Sequence, residues 1–434
     1  MTSPYWQEDI ETMNENDLRA LQVERLRETL TQAAKSSFYK KVFKERGVST
    51  GSVQSFDDLR NLPFTTKDDL RSQYPFGFAA IPLQQCVRIH SSSGTTGNPT
   101  VVLHSQKDLD LWANQVARCM YMVGLRDTDV FQNTSGYGMF TGGLGFQYGA
   151  EKLGALTVPA AAGNSKRQIK FIIDFAVTAL HIIPSYATRL AEVFREMNID
   201  PRTDTQLRTF CIGAEPHSEE QRRRIEQLMG VKAYNCFGMS EMNGPGVAFE
   251  CTEQNGLHIW EDYVIPEIID PHTLQPVPDG ETGELVLTTL QREAMPLIRY
   301  RTHDLTRFLP GQCPCGRTHR RIDRFKGRSD DMIILKGVNI FPIQIETILM
   351  TFKELGENYL ITIETVDNND EMLIEVELSG LFTDDYSALE RLRKQIIRQL
   401  KDELLITPQV KLISKGSLPV SEGKAVRVKD LRKF

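Results

Sequence analysis

Ser91-Ser92-Ser93-Gly94-Thr95-Thr96-Gly97-Asn98-Pro99-Thr100 crowds hydroxyls and glycines into one short stretch. Glycine lets backbone approach an anion closely, and successive N–H groups and hydroxyls donate to phosphate oxygens. Ser92, Ser93, Gly94, Thr95, Thr96 and Gly97 therefore suit a polyphosphate. The stretch does not follow G-x-x-x-x-G-K-[ST] and no helical pattern opens directly behind it, so it is not the familiar NTPase loop. An ordinary Ser/Thr/Gly turn between the extended runs VRIH and VVLH is the competing reading. A second group, Cys251, His258, Cys313 and Cys315, offers three thiolates and an imidazole, the donors that tetrahedral zinc prefers. Pro314 disfavours helix and Gly316 permits a tight turn, so Cys-Pro-Cys-Gly can present both sulfurs to one ion. Unconnected free thiols are the alternative there, with His319 or His303 as replacements for His258. Lys424 lies ten residues from the C-terminus between Gly423 and Ala425, where a lysine is ordinarily a solvated charge. His181 and His217 fall near strand ends, the usual place of a structurally satisfied imidazole.

The elements that must position these groups follow from periodicity. Leu18, Leu21, Leu26 and Leu30 recur at near-helical spacing between Asn16 and about Ala34, an amphipathic scaffold helix. From Ala155 onward, short apolar runs alternate with longer amphipathic ones: Ala155–Val158, Lys166–Ala176, Ala179–Ile183, Ser185–Met197, Arg208–Gly213, Ser218–Met229 and Val231–Asn235. Strand and helix in alternation imply parallel strands joined by crossover helices, with ligand sites at the strands' carboxyl ends. Glu284–Leu290 reads as a further strand, and the text then turns irregular up to Arg328. Beyond a boundary at 329/330 the order is strand, helix, strand, strand, helix, strand, a small α+β module. The expected fold is α/β, with a large N-terminal domain over 1–329 and a small domain over 330–434.

With 434 residues, 40% apolar and 25% charged, the chain is long enough and ordinary enough to fold as a multidomain globular protein. A net charge of −6 argues against nucleic acid as the main partner. No run approaches 20 apolar residues, which argues against a membrane span, and the acidic N-terminus does not read as an export signal. Seven scattered cysteines, an odd number, fit free thiols or a metal site better than a disulfide framework, and a cytoplasmic location is expected.

Further segments give the Ser/Gly loop a context. Phe237-Gly238-Met239-Ser240-Glu241, Tyr300-Arg301-Thr302-His303-Asp304, Gly327-Arg328-Ser329-Asp330-Asp331 and Gly423-Lys424-Ala425 follow it in order. Together they resemble the motifs of the adenylate-forming enzymes, the superfamily of acyl-CoA synthetases and peptide-synthetase adenylation domains, over essentially the whole chain. One departure is Asn98, where many members carry lysine, so nucleotide binding leans more on magnesium and Lys424.

The resemblance implies ATP-dependent ligation of an aryl acid, phenylacetate foremost, to coenzyme A, with AMP and pyrophosphate released. It implies Lys424 and Glu241 as catalytic, Glu241 through magnesium. Besides the loop, it assigns nucleotide contacts to Gly213, Ala214, Glu215, Phe237, Gly238, Met239, Ser240, Asp304 and Arg328. Tyr137, Phe140, Ala214 and Cys236 become candidate walls of the acyl pocket, and Asp330 the pivot of a mobile C-terminal domain. A homodimer is compatible with the family. A different acid or acceptor within the superfamily, or a nucleotide-binding protein without catalysis, are the competing functions.

Overall fold

Parallel strands cannot be joined by tight turns, and the middle of this chain supplies the crossovers they need. The computed structural model describes residues 3–91, 98–139, 141–329, 332–335, 338–366, 369–379, 386–419 and 427–432. They gather into two compact units: Met1–Ile182, Glu192–Ala214 and Gly230–Arg324 form one, and Ile183–Ala191, Glu215–Met229 and Phe325–Phe434 the other.

In the first unit, strands β1 (Arg88–Ser91) and β2 (Val101–His104) pair antiparallel, with Ser91 opposite Val101. The Ser/Gly stretch thus joins the two strands of a hairpin, and Ser92–Gly97 lie outside the described residues. The main sheet uses β3 (Val130–Asn133), β4 (Leu156–Val158), β5 (Ala179–Ile182), β6 (Thr209–Gly213), β7 (Lys232–Met239), β8 (Gly244–Glu250) and β9 (Leu257–Ile259). Next along the chain, β10 (Val264–Ile269), β11 (Gly283–Thr289) and β12 (Tyr300–Thr306) pair antiparallel in another sheet. Two short strands, β13 (Phe308–Leu309) and β14 (Arg321–Ile322), complete the main sheet in the order β13-β14-β9-β8-β7-β6-β5-β3-β4.

The strands β4, β3, β5, β6 and β7 are parallel, as the alternating pattern requires, and β7 onward is antiparallel. β5 and β6 are buried along their whole length, which explains their largely apolar text, broken only by His181 and Thr209. The stretch after Leu290 reads as irregular, yet it contains β12, β13 and β14; charged residues such as Arg301 and Asp304 hide the strand pattern there.

In the second unit a four-stranded sheet runs Gln409–Ile413, Asn369–Leu378, Leu355–Val366, Val428–Asp430. Helices Pro342–Leu349 and Tyr386–Leu404 pack on it through Ile345, Leu349, Leu392, Ile396 and Leu400. Ile333–Leu335 pairs with Val338–Ile340 as a separate hairpin, whereas the sequence pattern puts it in the sheet. The fourth sheet strand is Val428–Asp430, too short and charged for periodicity to reveal. Glu346 accepts the Ser218 N–H at 3.2 Å and the Tyr359 hydroxyl at 2.9 Å, and Arg224 lies 3.6 Å from Glu357. These contacts tie 215–229 to the C-terminal residues of the unit.

Among the described residues, no helix is long and apolar enough to cross a membrane. All seven cysteines are free thiols.

Candidate active site

The carboxyl ends of β3, β6 and β7 carry several of the predicted residues of the first unit. β6 ends at Gly213, directly opposite Cys236 on β7. A Cβ at Gly213 would run into the Cys236 carbonyl and thiol, so only glycine lets the two strands close there. Ala214 then turns the chain through a left-handed conformation with φ 67°. Burial pushes the Cys236 thiol well above its ordinary pKa, so it is a neutral, buried side chain. Phe237 beside it is only partly buried. A register irregularity separates Phe237 from Gly238, and a Cβ at Gly238 would strike the Gly244 backbone and Pro245. Met239 ends the strand, and Ser240–Met242 forms a 3₁₀ turn that carries Glu241.

Glu241 is buried and accepts the Thr100 hydroxyl at 3.2 Å. Thr100 closes the Ser/Gly stretch, so the carboxylate stands at the foot of that loop. The Glu241 carbonyl accepts Arg292 Nη1 at 2.6 Å, and Arg292 Nη2 lies 3.5 Å from the Leu103 carbonyl. One guanidinium therefore ties the glutamate turn to β2. Burial lowers its pKa to about 10, with Asp108 and Glu241 holding it up, so it stays charged at neutral pH. Arg292 belongs to none of the recognised motifs, and no spacing marks it.

The stretch 136–143 approaches the same turn, for the hydroxyls of Thr141 and Ser240 lie 3.4 Å apart. Glycines here and further along the following helix serve packing. A Cβ at Gly143 would meet the Gly136 carbonyl at 2.5 Å, and one at Gly149 would collide with Val116 on the helix Gln106–Met122. Tyr137 is half-buried, and Asn133 Nδ2 donates to its oxygen at 3.1 Å. His181 stacks on Phe146 with ring centroids 3.8 Å apart and is pushed down to about 3 by burial, a neutral imidazole. Asp304 stands on β12, in the other sheet, where its N–H donates to the Thr302 hydroxyl at 3.0 Å.

In the second unit the Glu215 carboxylate accepts the Ser185 hydroxyl at 3.0 Å and the Ser185 N–H at 3.1 Å. Arg328 lies in the short strand Gly327–Arg328 and is partly buried. Ser92, Ser93, Gly94, Thr95, Thr96, Gly97, Phe140, Asp330 and Lys424 lie outside the described residues.

The ligand atoms of Cys251, His258, Cys313 and Cys315 all lie within 4.8 Å of one another. Cys251 Sγ is 3.6 Å from Cys313 Sγ, and Cys315 Sγ is 3.3 Å from His258 Nε2. His258 Nδ1 faces the His319 carbonyl at 3.2 Å, the outer partner that leaves Nε2 for a metal. His319 spends both ring nitrogens elsewhere: Nδ1 on the Glu261 N–H and Nε2 on the Ile10 carbonyl, each at 3.0 Å. Cys251 and His258 together hold the Cys315 thiol well below its ordinary pKa. The donor set, its burial and its spacing fit a four-coordinate soft cation.

Residues 14–291 match the AMP-binding enzyme family, and 337–432 match the AMP-binding enzyme C-terminal domain. The chain is 44% identical to the phenylacetate-coenzyme A ligase of Escherichia coli, over 98% of this chain and 97% of that one. It is 42% identical to the phenylacetate-coenzyme A ligase of Thermus thermophilus, over 99% of this chain and 100% of that one. Among solved structures it resembles 2-hydroxyisobutyryl-CoA ligase in the postadenylation state with R3-HIB-AMP, at TM-score 0.93 and 30% identity over 99% of this chain and 92% of that one. Read with the geometry at β6 and β7, these matches show that the chain belongs to the AMP-binding, adenylate-forming enzymes, on the acid–CoA ligase branch that holds the phenylacetate-coenzyme A ligases.

Proposed function

We propose that the chain joins phenylacetate, or a closely related aryl acid, to coenzyme A in two half-reactions. A carboxylate oxygen attacks the α-phosphorus of ATP, the bond to the β-phosphate oxygen breaks, and pyrophosphate leaves an acyl-adenylate. The coenzyme A thiol, losing its proton, then attacks the acyl carbon, and AMP leaves with the electron pair of the broken acyl–oxygen bond. The observation that carries the reading is Glu241, buried at the foot of the Ser/Gly loop and bonded to Thr100, in a chain that matches phenylacetate-coenzyme A ligases end to end.

Both half-reactions bring anions together, so positioning and charge neutralisation do most of the catalytic work. Glu241 would hold magnesium, which neutralises phosphate charge when bound. The loop residues cradle the phosphates, Phe237 stacks on the adenine edged by Gly213 and Ala214, and Asp304 accepts the ribose hydroxyls. Lys424 stabilises the charge that develops at the α-phosphate. Residues 330–434 act as a module that turns about Asp330 between the half-reactions, because one cation and one thiol cannot occupy the same face of the acyl group. Cys251, His258, Cys313 and Cys315 would bind a structural zinc, away from the chemistry. A cytoplasmic location and a homodimer complete the proposal.

Chromatography of products from ATP, coenzyme A and a panel of aryl and fatty acids tests it. Phenylacetyl-CoA and AMP in equal amounts are the expected products; turnover of fatty acids alone, or ADP in place of AMP, would overturn the reading.

A further inference from the structure

Past β11 the chain runs through Arg292-Glu293-Ala294, and a buried carboxylate fixes its backbone. Asp108, in the first turn of the helix Gln106–Met122, accepts the Glu293 N–H at 2.7 Å and the Ala294 N–H at 2.9 Å, besides the Ser105 N–H at 2.9 Å. The carbonyls of the pair are taken as well: Gln32 Nε2 donates to Glu293 at 2.7 Å and the Ala80 N–H to Ala294 at 2.9 Å. The main chain directly after Arg292 is therefore clamped at both its donors and its acceptors. Arg292 itself is 4% exposed, and its guanidinium closes a circuit. Nη1 donates to the Glu241 carbonyl at 2.6 Å and Nη2 reaches the Leu103 carbonyl at 3.5 Å, while the Glu241 carboxylate accepts from Thr100, three residues before Leu103. Main chain and side chain of Glu241 are thus held to one strand segment by separate bonds.

The turn does not hold this direction by itself. Ser240–Met242 is a single 3₁₀ turn, closed by the Asn243 N–H on the Ser240 carbonyl at 3.2 Å, and so short a run has poor hydrogen-bond geometry. Packing does not call for an arginine either, because a buried charge is costly to desolvate and an apolar side chain of similar volume commonly stabilises as well or better. What the guanidinium holds explains its place. We infer that Arg292 is a positioning residue for adenylate formation: it fixes the direction in which Glu241 meets the magnesium-bound triphosphate, and it has no part in thioester formation. The inference rests on the role proposed above for Glu241. Pyrophosphate has left before the thiol attacks, so the direction of Glu241 matters in the first half-reaction alone. A misplacement of about 1 Å at a reacting centre can cost about 10²-fold in rate, even when the mutated residue is not itself at the chemistry.

The test separates the two half-reactions in Arg292→Met, which removes the fork and the charge, and in Arg292→Lys, which keeps the charge without the planar fork. Acid-dependent exchange of pyrophosphate into ATP reads the first half, and conversion of preformed phenylacetyl-adenylate with coenzyme A reads the second. In Arg292→Met exchange falls by about 10²-fold while thioester formation stays within about twofold of the wild type. Arg292→Lys falls between the two, and the same split in that variant decides the matter if Arg292→Met does not fold. Calorimetry with α,β-methylene-ATP gives a readout apart from turnover: the wild-type chain binds it more tightly with magnesium than without, and Arg292→Met loses most of that gain while its metal-free affinity holds. Equal loss of both half-reactions, an equal fall of affinity with and without magnesium, or exchange at the wild-type rate in a folded Arg292→Met would overturn the inference. Wild-type exchange that no aryl acid supports, or exchange undiminished in Glu241→Gln, would instead sink the reading on which it rests.

Discussion

Thr100 and Glu241 are separated by 141 positions and meet at 3.2 Å, a distance at which the hydroxyl fixes the carboxylate's direction. Removing that charge should cost chemistry rather than fold, because glutamine still accepts from Thr100 and only the difference between a charged and a neutral hydrogen bond, about 1 kcal/mol, is lost. Glu241→Gln is expected to lower adenylate formation by about 10²-fold or more with an unchanged melting temperature. Lys424→Ala is expected to lose adenylate formation to a similar degree while retaining thioester formation from preformed acyl-adenylate; stopped assays of each half-reaction separate the two, and equal loss of both would contradict the role given to Lys424. Glu241 stands out in the sequence because it sits in an ordered motif, and Gly213 because it ends an apolar run where strands of such sheets meet ligands. Arg292 and Asn133 do not, since a lone arginine or a strand-end asparagine has no characteristic spacing and its value lies in partners distant along the chain.

At the scale of elements, the parallel strands and their crossover helices are readable because apolar runs of two distinct periods alternate. Val428–Asp430 is not, because a three-residue edge strand, two of its residues charged, has no period to detect. The helix Pro342–Leu349 carries Glu346, and burial pushes its carboxyl up to about 7 while Tyr359, Arg427 and the Ser218 N–H pull the other way and Glu357 adds to the rise. The folded state therefore keeps a proton that the unfolded chain has released between the ordinary glutamate range and about pH 7. Stability is complete below that window and falls as pH rises through it, by up to a few kcal/mol at about 1.4 kcal/mol per unit. Denaturant unfolding at pH 5 and pH 8 should show that loss, and Glu346→Gln should flatten it; parallel curves for the two proteins would contradict the assignment.

The loop 313–319 shows why the cysteine cluster is half legible: the residue types are visible, but not what they hold. Arg317 pairs with Glu11 at 2.7 Å, both buried, and Thr318 Oγ1 donates to the Met13 carbonyl at 2.6 Å. The cluster loop thus fastens the N-terminal segment, and loss of a metal there should destabilise without changing the acid preference. We expect about one zinc per chain by elemental analysis, and a fall in melting temperature of about 5 °C or more in Cys315→Ser. Metal-free protein with the full melting temperature would contradict this.

Over the whole molecule, a sheet whose strands end together, a glycine-lined hairpin and a small α+β module make sense as parts of one two-step catalyst. Their common claim is that the acid is activated on phosphorus before any thiol is present. Isotope exchange between labelled pyrophosphate and ATP, without coenzyme A, reads that step alone. The account predicts exchange that depends on phenylacetate or a related aryl acid and is abolished in Lys424→Ala. Exchange that proceeds without acid, or that no aryl acid supports, would contradict it.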